Sequence, residues 1–213
     1  MTVVIYTYPP DYLMAGVSAR LLALQQGLHV VLAIDRKDPG FACEFATVVR
    51  TDFERKGNLN GLEFVQNHLR LMAEHATGDY TIKLDSDTCL LDARRLLDGK
   101  TGTAVGLFVR GMDGMNGCCY AVRVDAIPAM LRESEKLPER QWLMEDQTVG
   151  RLAQAVGAVD FDQWGSADTV YDRYQPETPV ARYRERKAVV CFEARADSDR
   201  RSMARKMRSL YES

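Results

Sequence analysis

Long uncharged apolar runs are absent from this 213-residue sequence, and its first ten residues, MTVVIYTYPP, contain no basic side chain. A helix that crosses a bilayer needs about 20 consecutive apolar residues. A secretory signal places basic residues before an apolar core. We therefore expect a cytoplasmic protein that has no membrane-spanning helix.

Cysteine and histidine are scarce, and their spacing does not suit disulfides or a zinc ribbon. The five cysteines, at positions 43, 89, 118, 119 and 191, are odd in number and form no C-x-x-C motif. We expect reduced, mostly buried thiols rather than a disulfide framework. The three histidines lie at a strand start (His29) or on a helical pattern (His68 and His75), and we predict no catalytic role for them.

Neither sign of charge dominates the chain, but the C-terminal part is basic. The formal net charge of −2 argues against wholesale binding to nucleic acid or to a membrane surface. Residues 182–208, however, hold ten basic and four acidic side chains. This segment is either a solvated helix with an apolar stripe (Met203, Met207 and Leu210) or a surface that meets an anionic acceptor.

Short apolar runs alternate with helical patterns along the chain, which is typical of an α/β domain. Strands are predicted at 2–8 and 29–35, and the helix between them, at 11–27, has Asp11 as its N-cap and Gly27 as its end. Such a unit indicates a parallel sheet, whose ligands bind beyond the carboxyl ends of the strands. The remaining pattern predicts helices at 61–76, 125–136 and 145–156, and strands ending near 85 and at 103–109, 117–124 and 188–194.

The segment TIKLDSDTCL, residues 81–90, places two carboxylates at the end of a buried run. On an extended strand, Lys83, Asp85 and Asp87 would point to the same face. Like charges this close must be relieved by a proton, a cation or solvent. Two interpretations follow: Lys83 neutralises Asp85 at a solvated turn, or the aspartates hold a divalent cation that keeps other coordination positions for phosphate oxygens.

Three ordered segments resemble the nucleotide-sugar-dependent glycosyltransferases of GT-A fold. They are GDYTIKLDSDT (78–88), MNGCCYAVRVDAI (115–127) and LMEDQTVGRLAQAVG (143–157). The resemblance spans about residues 1–160 and implies a single GT-A-like (Rossmann-like) domain with a mostly parallel sheet flanked by helices. It divides into a nucleotide-sugar-binding half (1–110), an acceptor-side half (111–180) and a basic helical C-terminal segment (181–213).

The activity implied by this resemblance is transfer of a sugar from a nucleotide diphospho-sugar, expected to be a UDP-sugar. The acceptor stays open between a saccharide, a lipid-linked compound and DNA that carries hydroxylated bases. Two other functions also stay open. One is a sugar nucleotidyltransferase, although TYPPDYLMAG lacks the expected Gly-rich phosphate loop, and the other is a non-catalytic domain that binds nucleotide sugars.

The resemblance also implies a bound Mn²⁺ or Mg²⁺, with Asp85 and Asp87 as ligands. Many members add a late histidine ligand, but no histidine follows His75 in this sequence. The similar place is taken by Cys191 or Glu193, so Glu193 is the predicted third ligand unless water completes the shell.

Contacts to the donor are implied at several positions that the order of motifs aligns. Tyr6 and Asp35 also have simpler interpretations, as a core residue and a turn residue. The predicted contacts are Tyr6, Thr7 and Tyr8 after the first strand, Asp35, Asn58 in the loop RKGNLNG (55–61), Lys83 and Asp85, and Asn116 and Gly117 near the transferred sugar.

Asp146 is the predicted general base, and Glu145 is the neighbouring candidate. An inverting transferase needs a carboxylate that takes the proton of the acceptor hydroxyl. Adjacent residues on a helix diverge, so only one of the two would fill that role. In a retaining enzyme Asp146 would instead bind sugar or acceptor hydroxyls. The alternative is that both acids only favour the helix N-terminus electrostatically.

Overall fold

The computed structural model describes residues 1–35, 37–38, 40–52, 61–109, 114–137, 144–164, 169–192 and 200–212. Asn58 and Glu193, two predicted site residues, lie outside the described residues. The strands are β1 (Thr2–Tyr6), β2 (His29–Asp35), β3 (Thr47–Thr51), β4 (Tyr80–Asp85), β5 (Thr88–Leu90), β6 (Ala104–Val109), β7 (Gly114–Arg123), β8 (Val159–Asp162), β9 (Tyr171–Arg173) and β10 (Val189–Cys191). The helices are α1 (Tyr12–Gln26), α2 (Gly61–Glu74), α3 (Ala93–Leu97), α4 (Ile127–Ser134), α5 (Glu145–Val156), α6 (Val180–Arg186) and α7 (Arg200–Glu212).

Seven strands form the central sheet in the order β3-β2-β1-β4-β7-β6-β8. Pairing is parallel throughout except at β7, which is antiparallel to both β4 and β6. The carboxyl ends of the other six strands and the amino end of β7 therefore lie at one edge, which we call the carboxyl edge. Asp35 and Asp85 are the last residues of β2 and β4 at this edge. A second sheet has the order β5-β10-β9.

Helices cover both faces of the central sheet because its strands are apolar on both sides. Alternate residues of β1 separate into two cores: Val3 and Ile5 pack with α1 and α7, whereas Val4 packs with α2, α4 and α5. Each helix within the described ranges is too short or too polar to span a bilayer.

The α/β class and the mostly parallel sheet expected from the sequence are confirmed. Strand β2 matches its predicted bounds, and α1 ends at Gly27, whose φ of 62° lies in the left-handed region that glycine tolerates. Helix α7 confirms the helical end of the chain, with Met203, Met207 and Leu210 buried. The predicted capping role of Asp11 is wrong: its side chain makes no capping hydrogen bond to α1.

Glycines allow α5 to approach β7 closely. A Cβ atom at Gly150 of α5 would lie 2.8 Å from the Cα of Gly114 and 2.9 Å from the nitrogen of Met115. A Cβ atom at Gly114 would in turn lie 2.6 Å from the carbonyl oxygen of Asp146. Side chains at these positions would push the first turns of α5 away from the carboxyl edge.

We predict that Gly150→Ala lowers the free energy of unfolding by ~1–3 kcal/mol, because the backbone of β7 has to move. Gly16→Ala is the matched control, since Gly16 also lies inside a helix but has no atom within 4 Å of its Cβ position. That control should stabilise the protein by up to ~1 kcal/mol through helix propensity. Urea unfolding measures both changes, and equal stability of Gly150→Ala and the wild type would contradict the packing argument.

Candidate active site

The D-x-D segment lies at the carboxyl edge, but only its first aspartate is on a strand. β4 ends at Asp85, and Ser86 and Asp87 form the turn into β5. The sequence pattern, which placed Asp87 on the same strand face as Asp85, is wrong on this point. The backbone N–H of Phe192 donates to the carbonyl oxygen of Asp87 at 2.9 Å, which links the turn to the end of β10.

Lys83 points into the protein below this turn, and its side chain is buried. Its Nζ donates to Oδ1 of Asp85 at 2.6 Å and to the carbonyl oxygen of Gly117, and it lies 2.9 Å from Oε1 of Glu145. Burial alone would lower the pKa of Lys83, but Asp85 and Glu145 raise it well above its usual value. Asp85, Gly117 and Glu145 thus surround the ammonium of Lys83.

The acidic first turn of α5 lies next to Lys83. The Gln147 side chain accepts the N–H of Met144, the residue before the helix, at 3.4 Å, and Glu145 and Asp146 occupy the first turn, where the helix dipole favours negative charge. Oδ1 of Asp146 accepts the N–H of Gly117 at 2.9 Å.

Both acids of α5 lie beside Gly117, although adjacent helical residues diverge. A Cβ atom at Gly117 would lie 2.8 Å from Oδ1 of Asp146 and 3.2 Å from Oε2 of Glu145, so a side chain here would displace these carboxylates. Burial raises the pKa of Glu145 to about 7, against the opposing effect of Lys83. Burial also raises the pKa of Asp146, and the N–H of Gly117 opposes this rise. The contact of Glu145 with Lys83 is an ion pair whose angles fall outside hydrogen-bond geometry.

A group of aromatic rings packs beside Glu145. His68 of α2 lies 3.6 Å from Oε1 of Glu145 through its Nδ1, and its ring centre is 3.8 Å from that of Tyr6 and 4.0 Å from that of Phe64. Burial, aided by Lys83, lowers the pKa of His68, so the imidazole is neutral. The hydroxyl of Tyr6 is buried without a hydrogen-bond partner among the described residues, and its ring packs against the core, as the simpler interpretation of Tyr6 expected.

The remaining predicted donor contacts line the carboxyl edge in different ways. Thr7 is buried and donates its N–H to the carbonyl oxygen of Ala33 at 3.0 Å, and the hydroxyl of Tyr8 accepts from Arg200 at 2.7 Å. Asp35 accepts the N–H of Lys37 at 2.8 Å, which is the turn role also considered for it. Asn116 accepts the N–H of Cys118 at 2.8 Å, so its side chain is tied to its own strand.

The aspartates of the turn suit an ion that keeps several water ligands. Within the described ranges, no three His, Cys, Asp or Glu side chains are arranged to hold a metal. Asp85 has one oxygen bound by Lys83, but its side chain is 42% exposed, so the second oxygen is accessible. Hard divalent ions such as Mg²⁺ bind through one or two carboxylates together with water and phosphate oxygens. The carboxylate oxygens of Asp85 and Asp87 therefore suit such an ion as ligands. All five cysteines are free thiols in this structure, and Cys89, Cys118 and Cys119 are buried.

Neither a family model nor a curated protein matches this sequence. Solved structures match it over nearly its whole length. The galactosyltransferase LgtC, in complex with donor and acceptor sugar analogues, has a TM-score of 0.58 at 12% identity, over 100% of this chain and 95% of that one. A glycosyltransferase involved in glycosylation of the major capsid of PBCV-1 has a TM-score of 0.58 at 10% identity, over 96% and 98%. GlyE of Streptococcus pneumoniae TIGR4 has a TM-score of 0.54 at 10% identity, over 99% and 62%.

The chain has the GT-A-like fold of these glycosyltransferases. This confirms the fold that the three sequence motifs implied. The identities of 10–12% support the fold and leave the chemistry to be argued from the site itself.

The raised pKa of Glu145 predicts how stability depends on pH. Between the ordinary value of 4.5 and about 7, the folded protein holds a proton that the unfolded chain has released. The contribution of Glu145 to the free energy of unfolding should therefore fall as pH rises, by roughly 1 kcal/mol per pH unit, and become constant above pH 7.

Glu145→Gln should flatten this part of the stability curve, because the amide does not titrate. Urea unfolding between pH 5 and 8 measures the slope, and Glu135→Gln, at an exposed position after α4, is the control that keeps it. An unchanged slope in Glu145→Gln would show that Glu145 is ionised throughout this range.

Proposed function

We propose that this protein is a glycosyltransferase that moves a sugar from a nucleotide diphospho-sugar, in the first instance a UDP-sugar, to an acceptor hydroxyl with the help of Mn²⁺ or Mg²⁺. One observation carries the proposal: the D-x-D turn meets the acidic start of α5 at the carboxyl edge, where Lys83 joins Asp85 to Glu145. A fold alone does not determine a reaction. The proposal therefore rests on this pairing of carboxylates from two elements, in a fold shared with glycosyltransferases.

Asp85 and Asp87 are the residues that would hold the ion, and Asp87 is proposed as the firmer ligand. Glu193 is proposed as the third ligand. When bound, a divalent ion neutralises the negative charge that develops on the departing diphosphate. Lys83 keeps the inner oxygen of Asp85 in place and so directs the other oxygen toward the edge.

Asp146 is the proposed general base of an inverting reaction. Its Oδ1 is fixed by the N–H of Gly117, so Oδ2 is the atom that would take the proton of the acceptor hydroxyl. Its raised pKa moves the carboxylate toward the range in which a base works efficiently near neutral pH. Glu145 is held by Lys83 and lies behind Asp146, which suits a role in fixing the local charge.

The donor would lie along the carboxyl edge between β1 and β7. Thr7, Tyr8 and Asp35 are proposed to approach its nucleoside, and Asn116 and Gly117 its sugar. Gly117 suits this position because its missing side chain leaves the backbone open to close approach.

We predict that Asp87→Asn abolishes stabilisation by Mn²⁺ and UDP together. A ligand at roughly 100 times its Kd stabilises the native state by ~2.7 kcal/mol, which corresponds to a Tm increase of about 5–11 °C for a chain of this size. Thermal shift in the presence of MnCl₂ measures the effect, first with UDP and then with UDP-, GDP- and CDP-sugars. Asp98→Asn, at an exposed position after α3, should keep the full increase. An equal increase in Asp87→Asn, or one that survives EDTA, would contradict the assignment of the metal site.

We predict that Asp146→Asn lowers kcat by about 10²–10⁴-fold, the range for loss of a general base. The amide oxygen still accepts the N–H of Gly117, so the donor KM should change by no more than a few-fold. Donor hydrolysis and transfer to an acceptor panel give both constants, and NMR of the product anomer reports whether configuration inverts. A kcat equal to that of the wild type would exclude Asp146 as the base.

A further inference from the structure

The middle residue of the D-x-D turn is bound by a buried acid from another part of the chain. Oγ of Ser86 donates to Oδ2 of Asp11 at 3.1 Å, and both residues are buried, at 4% and 5% exposure. Asp11 lies immediately before α1. A buried carboxylate needs compensation, and a single hydroxyl does not neutralise its charge.

The compensating cation comes from the start of α7, 189 residues further along the chain. The guanidinium of Arg200 donates through Nε to Oδ1 of Asp11, and through Nη2 to the hydroxyl of Tyr8 at 2.7 Å. Its Cζ lies 5.7 Å from the centre of the Tyr8 ring. The Arg200 side chain is only 15% exposed, so solvent screens this ion pair weakly. We refer to Arg200, Asp11, Ser86 and Tyr8 as the Arg200 clamp.

Helix α7 also contacts the strand that follows the D-x-D turn. The hydroxyl of Tyr211, near its end, accepts the N–H of Leu90 at 3.0 Å, and Leu90 is the last residue of β5, which directly follows the D-x-D turn. Between these two contacts, the apolar side of α7 packs against α1. Helix α7 is therefore connected to the turn through Asp11 and to the end of β5 through Tyr211.

We propose that Arg200 and Asp11 are positioning residues that hold the D-x-D turn and Tyr8 in the geometry that binds the donor; this rests on the proposed function for the identity of the ligand. Asp85 and Asp87 repel each other before an ion binds, and the clamp keeps the turn that joins them closed. The turn is ordered when the protein folds. The free energy of binding the donor and ion is therefore not reduced by the cost of ordering the turn. The basic C-terminal segment thus has a function inside the site through its first residue in α7.

A double-mutant cycle tests the clamp without any donor. Ser86→Ala and Arg200→Gln each lower the Tm, and the loss in the double variant should be clearly smaller than the sum, because both residues act through Asp11. Arg201→Gln, at an exposed neighbouring position on α7, is the control and should be additive with Ser86→Ala. Should Arg200→Gln fold poorly because it leaves a buried charge, the neutral double variant Asp11→Asn/Arg200→Gln should recover folding.

Binding provides the second measurement. In the folded Arg200→Gln or neutral double variant, calorimetry should show a Kd for Mn²⁺ with UDP at least about 10-fold higher than in the wild type, and Arg200→Lys should recover part of it. If transfer occurs, the donor KM should rise while kcat changes by no more than a few-fold.

Additive Tm losses for Ser86→Ala and Arg200→Gln would overturn the clamp, and so would an unchanged Kd in the folded variants. A wild-type protein that binds neither Mn²⁺ nor UDP would overturn the proposed function and the role of the clamp in binding. In that case the stability cycle would still decide whether Arg200 holds the turn.

Discussion

The site depends on the interactions that the buried ammonium of Lys83 makes with three elements. Lys83 bonds to the end of its own strand at Asp85, to the backbone of β7 at Gly117 and to the start of α5 at Glu145. A buried charge is tolerated only when its partners stay in place, so three elements that are distant in sequence are fixed relative to one another. The carboxylates proposed for metal binding and for proton transfer are consequently neighbours.

The ion pair between Lys83 and Glu145 forms only because the backbone of α5 comes close to that of β7. Glycine at positions 114 and 150 lets α5 lie against β7 at distances that a Cβ atom would prevent, and glycine at position 117 leaves room for the carboxylates of Glu145 and Asp146. Apolar packing brings the first turn of α5 to the carboxyl edge, and Lys83 then has an acid within reach. Packing and charge support each other here: the glycines would have little effect on the site without Lys83, and Lys83 would be short of partners without the glycines.

Much of the fold was predictable from local patterns, whereas most of the contacts within the site were not. β-branched runs identified β2, one-sided helical spacing identified α2 and α7, and the D-x-D and Glu-Asp motifs located the two acidic clusters. The short strands β5 and β9, with three residues each, are below the length at which alternation is informative. Asp11 was interpreted as a helix cap because it directly precedes α1. No local pattern points to its partner Arg200, which is 189 residues further along the chain. His68 has the helical spacing of the buried residues Val65, Leu69 and Met72 of α2, and this spacing was the available signal that it is buried.

Three acids at the carboxyl edge share one arrangement, in which a protein N–H group donates to one carboxylate oxygen. Lys83 binds Oδ1 of Asp85, the N–H of Gly117 binds Oδ1 of Asp146, and Arg200 binds Oδ1 of Asp11. A carboxylate held in this way has a fixed orientation and still offers its second oxygen, which Asp11 already uses for Ser86. The internal donors oppose the repulsion among these acids, so they can stand close together before a cation arrives. Without its donors, the buried carboxylate of Asp11 would carry an uncompensated charge, which is costly in a folded protein.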